Sequence, residues 1–215
     1  MKYLFFLLIG FLGCSEFIIS KRSVDKDYIF FIHNKYLENY NDGDYDTIYK
    51  THIEYSKILE SYKKDGFIVI SEKRAPMTDG IIYAKKIVNQ IDSLLQIGVN
   101  PNHITVIGTS KGGYIAQYVS TFKKDPNINY VFIGSFQESD LDEMPDIDFS
   151  GNILTIYEKS DIYGVSAIKR KENSTNKINN FKEIELNNGL KHVFLYKALD
   201  EWIVPSKKWA RRNYE

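Results

Sequence analysis

Gly108-Thr109-Ser110-Lys111-Gly112 fits the pattern G-x-S-x-G, and Gly113 adds a third glycine. The motif lies between an apolar, β-branched run, Ile104 to Ile107, and a helical spacing of Ile115, Val119 and Phe122. A serine at a sharp strand-to-helix turn takes a strained backbone conformation that lifts its hydroxyl above the sheet. Side chains two places to either side would collide there, hence the glycines at 108 and 112. The amide of Lys111 opens the helix and points into the same space, with the positive end of the helix dipole behind it. It can therefore hold a developing oxyanion. Ser110 is the candidate nucleophile. The plain alternative is a serine that only caps a helix. A phosphate-binding loop fits worse, because G-x-x-x-x-G-K-[ST] is absent.

A serine nucleophile needs a base, and the chain has four histidines to test by position. His103 precedes the strand that ends at Ser110; seven residues at ~3.3 Å put it about 20 Å away, at the opposite edge of the sheet. His52 falls within a helical pattern on the sheet's flank. His33 ends the first apolar run at the correct edge. His192 follows the last run and the turn sequence Asn187-Asn188-Gly189, also at the correct edge. A carboxylate should follow one of the strands between serine and histidine. Asp161, within Glu158-Lys159-Ser160-Asp161, is one candidate, and Asp140 and Asp142 compete with it. Glu158 sits closer to its strand.

Alternating elements must position these groups. Tyr28 to Ile32, Phe67 to Ile70, Ile104 to Ile107, Tyr130 to Ile133, Ile153 to Ile156 and Phe181 to Leu186 read as about six strands, several apolar throughout as expected when both faces are covered. Helical spacing fills Asp46 to Lys64 and Ile81 to Ile97, with Gly66 and Gly98 as stops. Asn173 to Asn180 is polar and reads as a surface loop. Strands separated by helices imply a mostly parallel α/β sheet flanked by helices, since parallel neighbours need a crossover. Ligand sites in such sheets lie beyond the carboxyl ends of the strands.

Taken together, Ile32-His33-Asn34, Ile104 to Gly113, Ser160-Asp161, Leu190-Lys191-His192 and Asp200-Glu201-Trp202 make the chain resemble the α/β-hydrolase superfamily, from Tyr28 through Trp202. The resemblance implies Ser110 as nucleophile, His192 as general base and acid, and Asp161, ahead of Asp140, as its orienting carboxylate. It implies oxyanion donors at the amides of Lys111 and of Asn34 or Lys35, with His33 in the same donor loop. Many members read His-Gly where this chain has His33-Asn34, and the edge strands that often precede that position are missing, so the expected fold is a trimmed one. The implied activity is a serine hydrolase acting on a carboxylic ester, or a related thioester or amide, without a cofactor. A non-catalytic, surface-anchored binding protein on the same scaffold is the rival.

Composition bounds the rest. The chain has 215 residues, fitting one domain, and Lys+Arg 28 against Asp+Glu 28 offers nothing built to hold nucleic acid phosphates. One cysteine and four histidines provide neither a disulfide framework nor the usual ligands of a structural zinc. The expected partner is a small acyl substrate. Met1 to Cys14 carries Lys2 and an apolar run too short to span a bilayer, and reads as a secretory signal. Gly13-Cys14 resembles a lipobox, which implies export and lipidation at Cys14, with a periplasmic or secreted protein otherwise. Residues 15–27 read as a linker and 28–215 as the domain. Glu38, Glu72 and Arg74 fall just past strand ends. They read either as an ion pair that organises loops or as Arg74 gripping an anionic substrate group. Trp202 and Trp209 mark an aromatic helix face, and Lys207-Lys208 with Arg211-Arg212 a solvated basic one.

Overall fold

The computed structural model describes residues 25–47 and 49–215. The signal, Cys14 and most of the linker lie outside the described residues. Among the described residues, eight strands run in chain order: β1 (Tyr28–Ile32), β2 (Tyr45–Asp46), β3 (Thr51–His52), β4 (Ile68–Ile70), β5 (Ile104–Thr109), β6 (Asn129–Ile133), β7 (Gly151–Glu158) and β8 (Ile178–Leu186). The helices are α1 (Tyr55–Lys64), α2 (Gly80–Gln96), α3 (Lys111–Lys123), α4 (Asp140–Glu143), α5 (Ile168–Glu172) and α6 (Asp200–Ala210).

Six strands form one sheet in the order β4-β1-β5-β6-β7-β8, and every pairing is parallel. The chain steps outward from β1 to β4, then returns to the other side of β1 with β5. The order therefore reverses between β1 and β5, which opens a crevice at their carboxyl ends. Ile32-His33-Asn34 and Ser110 both stand there.

Strand alternation divides the core in two. Phe30, Ile32, Val106, Tyr130 and Phe132 face α2 and α3, where Ala84, Ile87, Ile91, Ile115 and Val119 cover them. Ile29, Phe31, Ile107, Val131 and Ile133 face the other way, onto Ile58 and Tyr62 of α1 and Trp202 and Trp209 of α6. Both tryptophans are fully enclosed, and Trp209 Nε1 donates to the Asn152 carbonyl at 3.1 Å, so its one polar atom is satisfied.

Three expectations change. The helix read from Asp46 begins only at Tyr55; ahead of it β2 and β3 pair antiparallel. Short polar side chains capture backbone amides there: Asn41 N donates to Asp44 at 2.7 Å and Tyr49 N to Asp46 at 3.0 Å. Such turns outcompete the first helical turns. His52 accordingly sits on the exposed side of this small ribbon, its Nδ1 2.9 Å from the Gly43 carbonyl oxygen. The polar stretch expected as a loop through Asn180 ends earlier, because β8 starts at Ile178. The basic C-terminal residues are not merely a solvated face. Arg211 and Arg212 both pair with buried Asp27, which also holds His103 at 2.8 Å, and Lys207 pairs with Asp65 at 2.9 Å. They fasten the end of the chain to the edge of the sheet remote from Ser110.

Candidate active site

β5 delivers Ser110 into a turn with φ 50° and ψ −122°, a backbone conformation that residues with a Cβ rarely adopt. The turn is held from outside: Ser110 N donates to the Ile133 carbonyl at 2.9 Å. It is held from below by close packing. A Cβ on Gly108 would strike the backbone of Gly112, and one on Gly112 would strike the carbonyls of Ile32 and His33. Only glycine lets β5, α3 and the end of β1 come together so tightly.

Ser110 Oγ lies 3.0 Å from His192 Nε2, and His192 Nδ1 lies 2.6 Å from Asp161 Oδ2. The carboxylate accepts, so Nδ1 carries the proton and Nε2 is the atom left to receive one from the serine. Asp161 is buried, and its second oxygen accepts from Tyr163 N at 2.9 Å. Asp140 is occupied elsewhere, accepting from Gln137 N at 2.7 Å, and Asp142 is exposed. Glu158 does not face the histidine. Its buried carboxylate accepts from Ser160 N at 2.7 Å, Asn188 N at 3.1 Å and Gly189 N at 3.0 Å. Burial alone would raise its pKa, but these bonds outweigh it and hold the carboxyl below the usual range. Glu158 thus joins the turn bearing Asp161 to the turn that precedes His192.

The remaining candidates form a second group. Asn34 and Lys35 line a cavity of about 440 Å³ together with Ser110 and His192. His33 does not line it. Burial and the neighbouring Arg74 push the His33 pKa down to about 4, so the ring is neutral. Arg74 N donates to His33 Nε2 at 2.8 Å, and the opposite ring nitrogen, Nδ1, donates to the Asn34 carbonyl at 2.6 Å. Of the two readings of Arg74, the structure shows the ion pair that organises loops. Arg74 does not reach the cavity as a substrate clamp. It is 2% exposed, with Nε 3.1 Å from Glu38 Oε1 and Nη2 2.5 Å and 3.2 Å from the carbonyls of His33 and Asn34. Glu72 pairs with Lys86 rather than Arg74. The Lys111 side chain joins the group, its Nζ 2.7 Å from Glu38 Oε1 and 2.7 Å from the Thr78 carbonyl.

Six tyrosines at positions 36, 40, 49, 114, 163 and 196 also line the cavity, and among the described residues no aliphatic side chain does. Tyr36 and Tyr40 stack with ring centroids 4.0 Å apart, and Tyr163 meets His192 edge-on at 5.4 Å. Reading residues 46–64 as one helix hides only the contribution of Tyr49; the other five come from separate loops and from α3, which residue spacing does not bring together. The recurrence of tyrosine at 36, 40, 45 and 49 in a polar segment was the available signal.

The fold has solved counterparts. A protein described as a YdeN-like hydrolase of Pectobacterium atrosepticum superposes with a TM-score of 0.56 at 12% identity, covering 93% of this chain and 100% of that one. An Agrobacterium tumefaciens protein of unknown function, described as of α/β-hydrolase type, gives 0.57 at 14% identity, covering 87% and 85%. An esterase/lipase from an uncultured bacterium gives 0.55 at 13%, covering 88% and 78%. The fold is that of the α/β hydrolases. No family model and no curated protein matches the sequence. Among the described residues, no group of three or more His, Cys, Asp or Glu could hold a metal ion, and no helix is long and apolar enough to cross a membrane.

Proposed function

We propose that this protein is a serine hydrolase that cleaves a carboxylic ester, or a related thioester or amide, through an acyl-enzyme. The observation that carries the reading is the unbroken series Ser110 Oγ, His192, Asp161, at 3.0 Å and 2.6 Å. Ser110 Oγ attacks the acyl carbon as its proton passes to His192 Nε2. The tetrahedral intermediate collapses, His192 protonates the departing oxygen of an ester (sulfur of a thioester, nitrogen of an amide), and the acyl group stays on Ser110. Water then gives a proton to Nε2 and attacks the acyl carbon; the bond to Ser110 Oγ breaks, Nε2 returns the proton to Oγ, and the acid leaves. Asp161 keeps the proton on Nδ1 and stabilises the imidazolium formed in each half. The amide of Lys111 and that of Asn34 or Lys35 receive the negative oxygen.

The tyrosine-rich wall supports a substrate with a short acyl group and a polar or ring-bearing remainder, because a long alkyl chain gains most against aliphatic packing. The N-terminal Met1 to Cys14 pattern supports export, with Cys14 as a membrane tether.

Hydrolysis of p-nitrophenyl acetate by wild type and Ser110→Ala tests the reading. The substitution is expected to lower kcat by about 10⁴-fold or more. Equal rates would remove Ser110 from the mechanism.

A further inference from the structure

We propose that the buried Glu38–Arg74–Lys111 unit is the positioning device that aims the oxyanion donors. The inference rests on the hydrolase reading above. In a trans peptide the carbonyl and the following N–H point in opposite directions. The His33 carbonyl shares its plane with the Asn34 N–H, and the Asn34 carbonyl with the Lys35 N–H. Arg74 Nη2 binds both carbonyls, at 2.5 Å and 3.2 Å, and His33 Nδ1 adds a third bond at 2.6 Å. Both carbonyls are thereby drawn toward the buried guanidinium. Both N–H groups are turned away from it, to the side where Asn34, Lys35 and Ser110 border the cavity.

The guanidinium is held in turn by Glu38, whose side chain is 1% exposed. The same carboxylate takes Lys111 Nζ at 2.7 Å, and Lys111 carries the other donor amide. One buried carboxylate therefore ties both donor-bearing segments together. Gly112 lets those segments close to backbone contact beside Ile32 and His33. Two cations against one carboxylate also leave a net positive charge behind the site, which favours an oxyanion over a neutral carbonyl. Arginine is required for its shape. Nε and Nη2 serve three acceptors at fixed angles, whereas a lysine ammonium on a flexible stem cannot hold both carbonyls and the carboxylate together.

The test compares wild type, Arg74→Lys and Glu38→Gln, each checked for folding by circular dichroism. Assays use p-nitrophenyl acetate and a trifluoromethyl ketone, to whose carbonyl Ser110 would add, forming a tetrahedral oxyanion. For Arg74→Lys the expected result is a 10- to 100-fold fall in kcat with KM within about twofold. Affinity for the ketone should fall in parallel with kcat/KM. Glu38→Gln is near-isosteric, keeps acceptor oxygen for Arg74 and is expected to give the same split with a smaller fall; it decides the matter if Arg74→Lys fails to fold. Wild-type kcat in a folded variant, or a rise in KM with kcat unchanged, overturns the proposal while leaving Ser110-dependent hydrolysis intact. Wild-type protein with no Ser110-dependent turnover would instead overturn the hydrolase reading.

Discussion

The backbone at Ser110 carries a strain that can be measured separately from the chemistry. Its φ of 50° and ψ of −122° lie outside the regions open to residues with a Cβ, which costs about 1–3 kcal/mol. Glycine escapes that cost but loses about 0.5–1 kcal/mol through the greater freedom of its unfolded chain. Comparing Ser110→Gly with Ser110→Ala isolates the difference, since both lack the hydroxyl and its bond to His192. The glycine variant should be the more stable by about 1 kcal/mol, or about 2–4 °C in Tm for a chain of this size. Urea denaturation followed by circular dichroism, with equal m values in the two variants, is the appropriate assay. Both variants should be inactive. An alanine variant as stable as the glycine variant, or more so, would refute the claim that the turn is strained and held by its surroundings.

Two further outcomes follow from the buried ionisable groups. His33 titrates near 4 in the folded chain against 6.5 when unfolded, so the unfolded chain takes up the proton first. Stability is full above pH 6.5, falls as the pH drops toward 4, by up to about 3 kcal/mol from this group, and His33→Gln should flatten that slope in pH-dependent denaturation. Glu158 has a depressed pKa, so its contribution is present above the ordinary carboxylate range and is lost as the pH falls through the folded value. Glu158→Gln should cost about 2 kcal/mol at neutral pH by denaturation and should lower kcat, because the turns bearing Asp161 and His192 lose their common anchor.

Much of this architecture could be read in the sequence, for reasons that are local. Runs such as Tyr28–Ile32 and Ile104–Ile107 are buried on both faces, so continuous β-branched and aromatic residues, rather than alternation, mark them as strands. Gly108 and Gly112 were legible because the turn admits nothing larger. The choice between Asp161 and Asp140 was not legible. Both follow strands at the correct edge; what separates them is that Asp161 meets His192 Nδ1 at 2.6 Å while Asp140 accepts from Gln137 N. Glu38 and Arg74 could be suspected as a pair, but not their relation to the carbonyls of His33 and Asn34, since peptide orientation leaves no trace in residue type. Tyr49 escapes the sequence reading because the Asp46 side chain captures its amide and replaces the first turns of a helix that the apolar spacing suggests.

The most direct measurement of the central claim is labelling of the folded protein with a fluorophosphonate probe, followed by mass spectrometry of the modified peptide. The account predicts one adduct, on Ser110, absent from Ser110→Ala and strongly slowed in His192→Ala, because the imidazole must take the hydroxyl proton as phosphorus is attacked. Folded wild-type protein that takes up no probe, or that carries it on another residue, would contradict it.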